Sequence, residues 1–205
     1  MKDSKKILVT GGAGFIGFHL SKRLIKEGYE VIGLDSINNY YDTSLKKARL
    51  KILNETKGSY DFVKHDISRT STIDLLKEIN PSFIVNLAAN AGVRYSIQNP
   101  RIYVKNNIYG FLNILEAAKE INLENLVYAS TSSVYGANTD YPFSEKKGVD
   151  HPLQFYAVTK RTNELMAHAY ASLFNIKSTG LRFFTVYGPW GRPDMALFLF
   201  TKNIL

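Results

Sequence analysis

Compact apolar runs alternate along the chain with longer stretches in which apolar residues recur every three or four positions. Lys6-Ile-Leu-Val-Thr10 is one such run and predicts a buried strand. From Phe15 to Lys26, the residues Phe15, Ile16, Leu20, Leu24 and Ile25 fall roughly on one helical face, and Gly28 stops the helix. The alternation continues with strands over Glu30–Leu34, Tyr60–Lys64, Ser82–Asn86, Asn125–Ala129 and Lys177–Phe183. Between them the spacing predicts helices over Thr43–Leu53, Ser71–Ile79, Ile102–Ile121 and Phe155–Phe174. Strands separated by helices of this length need right-handed crossovers, so the expected fold class is α/β with a doubly wound parallel sheet. Such sheets bind ligands beyond the carboxyl ends of their strands.

Thr10-Gly-Gly-Ala-Gly-Phe-Ile-Gly17 lies between the first strand and the first helix. Gly11, Gly14 and Gly17 allow a tight turn, close backbone approach to a pyrophosphate and close helix–strand packing. The following helix start, with Phe15 and Ile16, offers free N–H groups and a partial positive charge to phosphates. In a strand-turn-helix context this marks a Rossmann-like dinucleotide site. Asp35 ends the second strand, where a carboxylate accepts from ribose hydroxyls and repels the extra phosphate of NADP, so NAD is the expected cofactor. Asp66 and Ile67 follow the third strand, where adenine would lie. His19 and His65 are expected to be surface or packing residues.

Tyr156-Ala-Val-Thr-Lys160 places a phenol and an ammonium on one helical face. A free phenol has a pKa of about 10, and a nearby cation lowers it, which would make Tyr156 a base for a sugar hydroxyl. The bulk composition leaves this reading open. The 205 residues suit one domain, and 45% hydrophobic residues suffice for a core. Without cysteine there are no disulfides or thiolate metal sites, and no metal site is expected. The charged start lacks the apolar stretch of a signal peptide, and no run approaches the roughly 20 apolar residues of a membrane span. A cytoplasmic protein is therefore expected. The net charge of +8 is scattered, as on a solvated basic surface; it also suits a small polyanionic ligand and does not choose between them, and no stacking-aromatic motif accompanies it to mark nucleic-acid binding.

Together these residues resemble the extended short-chain dehydrogenase/reductase superfamily. The resemblance rests on the glycine loop, Asp66, Asn86-Leu-Ala-Ala89, Tyr128-Ala-Ser-Thr-Ser-Ser-Val-Tyr-Gly136 and Tyr156-Ala-Val-Thr-Lys160. A finer likeness to nucleotide-sugar epimerases acting on UDP-glucuronate rests on three segments. These are Asn39-Tyr-Tyr-Asp42 with Leu45-Lys46, Ala91-Gly-Val-Arg-Tyr-Ser96, and the stretch from Leu181 to Met195. The resemblance implies inversion at sugar carbon 4 with NAD as transient hydride acceptor. It implies Tyr156 as base, Thr131 assisting at O4, and Lys160 on the nicotinamide ribose. It implies further cofactor contacts from Leu87, Ala88 and Ala89, and a homodimer built on helices 102–121 and 155–174. It also implies a cofactor unit over 1–180, with 181–205 beginning a smaller substrate-binding domain that is largely missing. NAD binding is accordingly expected to survive better than turnover.

Departures from the wider pattern narrow the reaction. Related dehydratases carry Asp-Glu after the threonine and related decarboxylases a glutamate two places on, where this chain has Ser132-Ser133. Hydroxyls cannot replace carboxylates as acid and base near neutrality. Thr185 stands where UDP-galactose epimerases have asparagine. Ser132, Ser133 and Thr185 are thus expected to bind a C6 carboxylate, and Arg94 and Arg192 to bind substrate anions. Open alternatives are a UDP-glucose or UDP-N-acetylglucosamine 4-epimerase and a catalytically inactive NAD-binding fragment.

Overall fold

The computed structural model describes residues 5–138 and 141–205. Six strands form one parallel sheet: β1 Lys6–Thr10, β2 Glu30–Asp35, β3 Ser59–Lys64, β4 Phe83–Asn86, β5 Asn125–Thr131 and β6 Ser178–Phe183. Their spatial order is β3-β2-β1-β4-β5-β6, and every neighbouring pair is parallel. The principal helices are α1 Phe15–Lys26, α2 Thr43–Asn54, α3 Thr72–Ile79, α4 Val93–Gln98, α5 Pro100–Tyr103, α6 Gly110–Glu120, α7 Phe155–Phe174 and α8 Ala196–Ile204.

Side chains alternate across each strand, and those of the central strands are covered on both faces. Leu8 of β1 joins Ile32, Leu34, Ile84 and Leu126 on one face, under Leu76 of α3 and Phe111, Ile114 and Leu115 of α6. Its neighbours Ile7 and Val9 join Val31 on the other face, under Phe18 and Ile25 of α1 and Leu53 of α2. Two covered faces explain why the central strands read as continuous apolar runs. The direction of winding reverses between β1 and β4, which opens a crevice at their carboxyl ends.

The predicted helix over 102–121 differs in the structure. It begins at Pro100, and a π-helical segment, Val104–Tyr109, interrupts it before α6. The cause is Asn107, buried inside the wide turn. Its side chain accepts from Asn90 N (2.8 Å) and donates to Asn90 O (3.0 Å) and Thr159 Oγ1 (3.0 Å). Its own carbonyl accepts from Asn163 Nδ2 at 2.8 Å. A π turn releases backbone groups from the regular ladder, and here α7 takes one. Among the described residues, no helix is long and apolar enough to cross a membrane.

Candidate active site

The chain leaves β1 at Gly11, whose φ of +69° favours glycine. A Cβ on Gly11 would lie 2.9 Å from Ala88 N, and one on Gly17 only 2.2 Å from Gly11 O. The loop is therefore pressed against the end of β4 and against its own helix. Gly14 precedes α1 with extended backbone and no side-chain cap, leaving the first-turn N–H groups around Phe15 and Ile16 available to a phosphate. Gly12, which the spacing argument passed over, is also closely packed: its Cβ would meet Gly33 Cα at 3.0 Å.

Asp35 is 8% exposed at the end of β2, and its Oδ1 accepts from Ile37 N at 2.9 Å. Asp66 Oδ1 accepts from Ser68 N (3.0 Å) and Ser68 Oγ (2.8 Å), which shapes the turn that buries Ile67. Leu87, Ala88 and Ala89 follow β4 on the opposite side. His19 and His65 each bond a neighbouring segment, and His65 also lines the cavity. His19 Nε2 lies 2.9 Å from Pro189 O, and His65 Nε2 lies 2.9 Å from Thr72 Oγ1.

Tyr156 and Lys160 are both buried on the first turns of α7. Buried Ser96 of α4 fixes that helix start, its Oγ accepting from Tyr156 N at 3.2 Å. Thr131 ends β5, and its hydroxyl accepts from Ser133 N at 3.2 Å, capping the 3-10 turn Ser132–Tyr135. The same hydroxyl lies beside the Tyr156 phenol and lowers its pKa. The expected acidification of Tyr156 by Lys160 is not found in the folded chain. Burial pushes the phenol up, while the Thr131 hydrogen bond and the Arg192 guanidinium pull it down. The Lys160 amine instead donates to Ala129 O at 2.8 Å, and burial brings it down to about 8. Helical spacing put the two groups on one face, but a strand carbonyl engages the amine.

Arg192 forms an ion pair with Asp194, and its guanidinium lies 5.8 Å from the Tyr40 ring. Tyr40 donates to Asp194 Oδ2 at 3.3 Å and stacks edge-on with Tyr95. Arg94 is exposed on the short helix α4. Ser132 and Ser133 are half-buried and Thr185 is exposed. One open cavity of about 870 Å³ runs from Gly11, Gly14 and Gly17 past Tyr156 and Lys160 to these groups. Every site residue expected from the sequence lines it: the glycine-loop and ribose-side residues, the Thr131 group, and the Arg94, Thr185 and Arg192 set.

Among the further lining residues that the sequence reading did not name as site residues are Asn90, Tyr40, Lys46 and Asp194. Buried Lys46 donates to Asn38 O (2.9 Å) and Asn38 Oδ1 (2.8 Å); burial lowers its pKa, and Asp35 opposes that shift. The consecutive asparagines 106 and 107, poor helix formers inside a predicted helix, were a usable signal for the Asn90 network.

Known proteins share this fold. Residues 7–205 match the family described as "NAD dependent epimerase/dehydratase family". Protein CapI of Staphylococcus aureus is 59% identical over 203 residues, covering 98% of this chain and 60% of its own length. UDP-glucuronate 4-epimerase 2 of Arabidopsis thaliana is 50% identical over 206 residues, covering 100% of this chain and 47% of its own. The crystal structure of UDP-glucuronic acid 4-epimerase from Bacillus cereus, in complex with UDP-glucuronic acid and NAD, superposes with a TM-score of 0.89 at 40% identity. That match covers 97% of this chain and 62% of the other. This chain thus spans about 60% or less of the length of these curated relatives. With a six-stranded sheet wound about a glycine-loop crevice, and a family match over nearly its whole length, the chain belongs to the NAD-dependent epimerase/dehydratase family.

Proposed function

We propose that this chain carries the cofactor site and the reacting groups of an NAD-dependent UDP-glucuronate 4-epimerase. One observation carries the reading: Thr131, Tyr156 and Lys160 share a cavity with the glycine loop at one end and with Ser132, Ser133, Thr185 and Arg192 at the other. The glycine loop fits a dinucleotide, because a Cβ at Gly11 or Gly17 would strike backbone where a pyrophosphate must approach. Bound NAD supplies a reversible hydride acceptor at the sugar's C4.

The protein's part is proton transfer and positioning. Tyr156 removes the O4 proton and, once hydride has returned to the other face of C4, gives the proton back to O4, while the Thr131 hydroxyl steadies the phenolate by hydrogen bonding. Lys160 reaches the nicotinamide ribose from the carbonyl of Ala129 and adds positive potential once a dinucleotide is near. Asp35 accepts from the adenosine ribose, with Asp66 and Ile67 beside the base. Ser132, Ser133 and Thr185 offer hydroxyls to the C6 carboxylate, and Arg192, with Arg94 at the rim, takes the substrate's anionic groups. No carboxylate follows Thr131, which disfavours elimination and decarboxylation. Exposed Tyr109 and Leu165 lie on the helices that a homodimer would pair.

The test is incubation with UDP-glucuronate, UDP-glucose and UDP-N-acetylglucosamine, read by NMR of the anomeric signals, with calorimetry for binding. NAD released on denaturation and selective engagement of UDP-glucuronate are expected. Absence of NAD, or equal response to the neutral sugars, defeats the reading. A Thr185→Asn variant should lose the preference for glucuronate over glucose; an unchanged preference removes Thr185 from the carboxylate set.

A further inference from the structure

Arg49, on α2, is wholly buried. Its guanidinium donates to Ala13 O at 3.0 Å, the Tyr41 hydroxyl at 2.8 Å, Trp190 O at 2.6 Å and Gly191 O at 3.3 Å. All four acceptors are neutral, and Nε is buried with no partner. Burying a cation without a counter-charge is costly, so stability alone is a poor reason for this residue.

The four bonds join two segments that lead into the cavity wall: Ala13 precedes Gly14, Trp190 and Gly191 precede Arg192, and Gly14 and Arg192 line the cavity. Gly14 N donates to Gly11 O at 2.8 Å, while the carbonyl of the same Ala13–Gly14 peptide accepts from Arg49. The N–H and C=O of a trans peptide point opposite ways, so these bonds lock its plane. That peptide leads into the start of α1, where a pyrophosphate would rest. At the other end, Trp190 holds a φ of +63°, which is uncommon for a bulky residue. Its carbonyl and that of Gly191 converge on one nitrogen of Arg49. Arg192 is the next residue. The Trp190 ring also lies 5.9 Å from Phe18 of α1.

We propose that Arg49 is a positioning residue that couples the two ends of the cavity, so that dinucleotide at the glycine loop and sugar nucleotide beside Arg192 tighten each other's binding. This rests on the function proposed above. A dinucleotide settles the Ala13–Gly14 peptide and, with it, the guanidinium. The guanidinium then holds the strained turn before Arg192, so the second ligand meets a turn already ordered. Thermodynamic linkage makes the effect reciprocal. The dinucleotide's diphosphate also brings negative charge toward a guanidinium that lacks a carboxylate partner. Lysine could keep the charge but not the planar fork that spans four acceptors.

Trp190 is the only tryptophan in the sequence, so its fluorescence reads the turn directly. Wild type and Arg49→Lys are titrated with NAD and with UDP, each alone and with the other saturating. Calorimetry gives affinity, and acrylamide quenching reports Trp190. In wild type, NAD should tighten UDP by about fivefold or more, the low end of coupling between sites, and should protect Trp190 from quenching. In Arg49→Lys, NAD should still bind while both responses vanish. Coupling that persists in a folded Arg49→Lys chain overturns the proposal. So does a wild type in which NAD binds but leaves UDP affinity and Trp190 quenching unchanged, whatever the variant does. A wild type that binds neither NAD nor UDP removes the proposed function itself, and this proposal with it.

Discussion

Glu164 offers a quantitative test of how Thr131 is held opposite Tyr156. It lies one turn beyond Lys160 on α7, and its side chain is 11% exposed. It accepts from Arg182 Nε and Nη2, both at 2.9 Å, from Arg161 at 3.0 Å and from Ser130 Oγ at 2.6 Å. Ser130 precedes Thr131 on β5, and Arg182 lies on β6, so one carboxylate pins α7 to both strands. Glu164→Gln keeps the volume but removes the charge and sets an amide N–H₂ against the guanidinium. Arg182 is 14% exposed, so water compensates little. Removing one partner of a buried pair costs about 3–5 kcal/mol, a large share of the roughly 5–15 kcal/mol that holds a domain together. With a urea slope of about 2 kcal/mol per molar, the midpoint should fall by about 1.5–2.5 M. The assay is urea unfolding by circular dichroism at neutral pH, with Arg182→Met and the double variant completing a cycle. The double variant should be little worse than either single one. A loss below about 1 kcal/mol, as for an exposed pair, or fully additive losses, would refute the clamp.

The same carboxylate sets a pH dependence. Burial pushes Glu164 up, but its hydrogen bonds from Arg182 and Ser130 outweigh this and hold it below its usual value. Its stabilisation is therefore present above the unfolded value of about 4.3 and is lost as pH falls through the folded one; Glu164→Gln should lack this acid transition. Lys160 shifts stability in the same direction at higher pH: burial holds its amine at about 8, against about 10.4 unfolded. Between these values the unfolded chain binds more protons, so stability rises with pH. Relative to Lys160→Met, wild type should gain about 2 kcal/mol from about pH 7.5 to about pH 9.5 in urea unfolding; a flat difference contradicts the burial argument. Gly17→Ala places a Cβ 2.2 Å from Gly11 O, and should cost about 1–3 kcal/mol and abolish NAD retention measured after denaturation. Tyr156→Phe should retain NAD yet lower any epimerisation seen by NMR by about 100-fold or more.

The alternation of apolar runs with helical periods was enough to give six strands, their parallel winding and their bounds to within two residues, though not the short helix α4 or the π segment. Those signals are local, because each strand or helix must cover its own face. The glycine spacing, Asp35 at a strand end and the Tyr156–Lys160 pair were legible for the same reason. The topology then brings all strand ends to one crevice. Tertiary structure alone decided which distant side chains meet there. Arg49 spans 36 residues to Ala13 and 141 to Trp190, and Glu164 joins α7 to two strands. Asn107 opens a helix into a π turn because Asn90, Thr159 and Asn163 require it. Lys160 shows the limit of spacing arguments. Helical geometry fixed its face, but its partner was set by the carbonyl of Ala129, 31 residues away. Periodicity records what each segment must bury; the partners of a buried polar group depend on packing that no local pattern encodes.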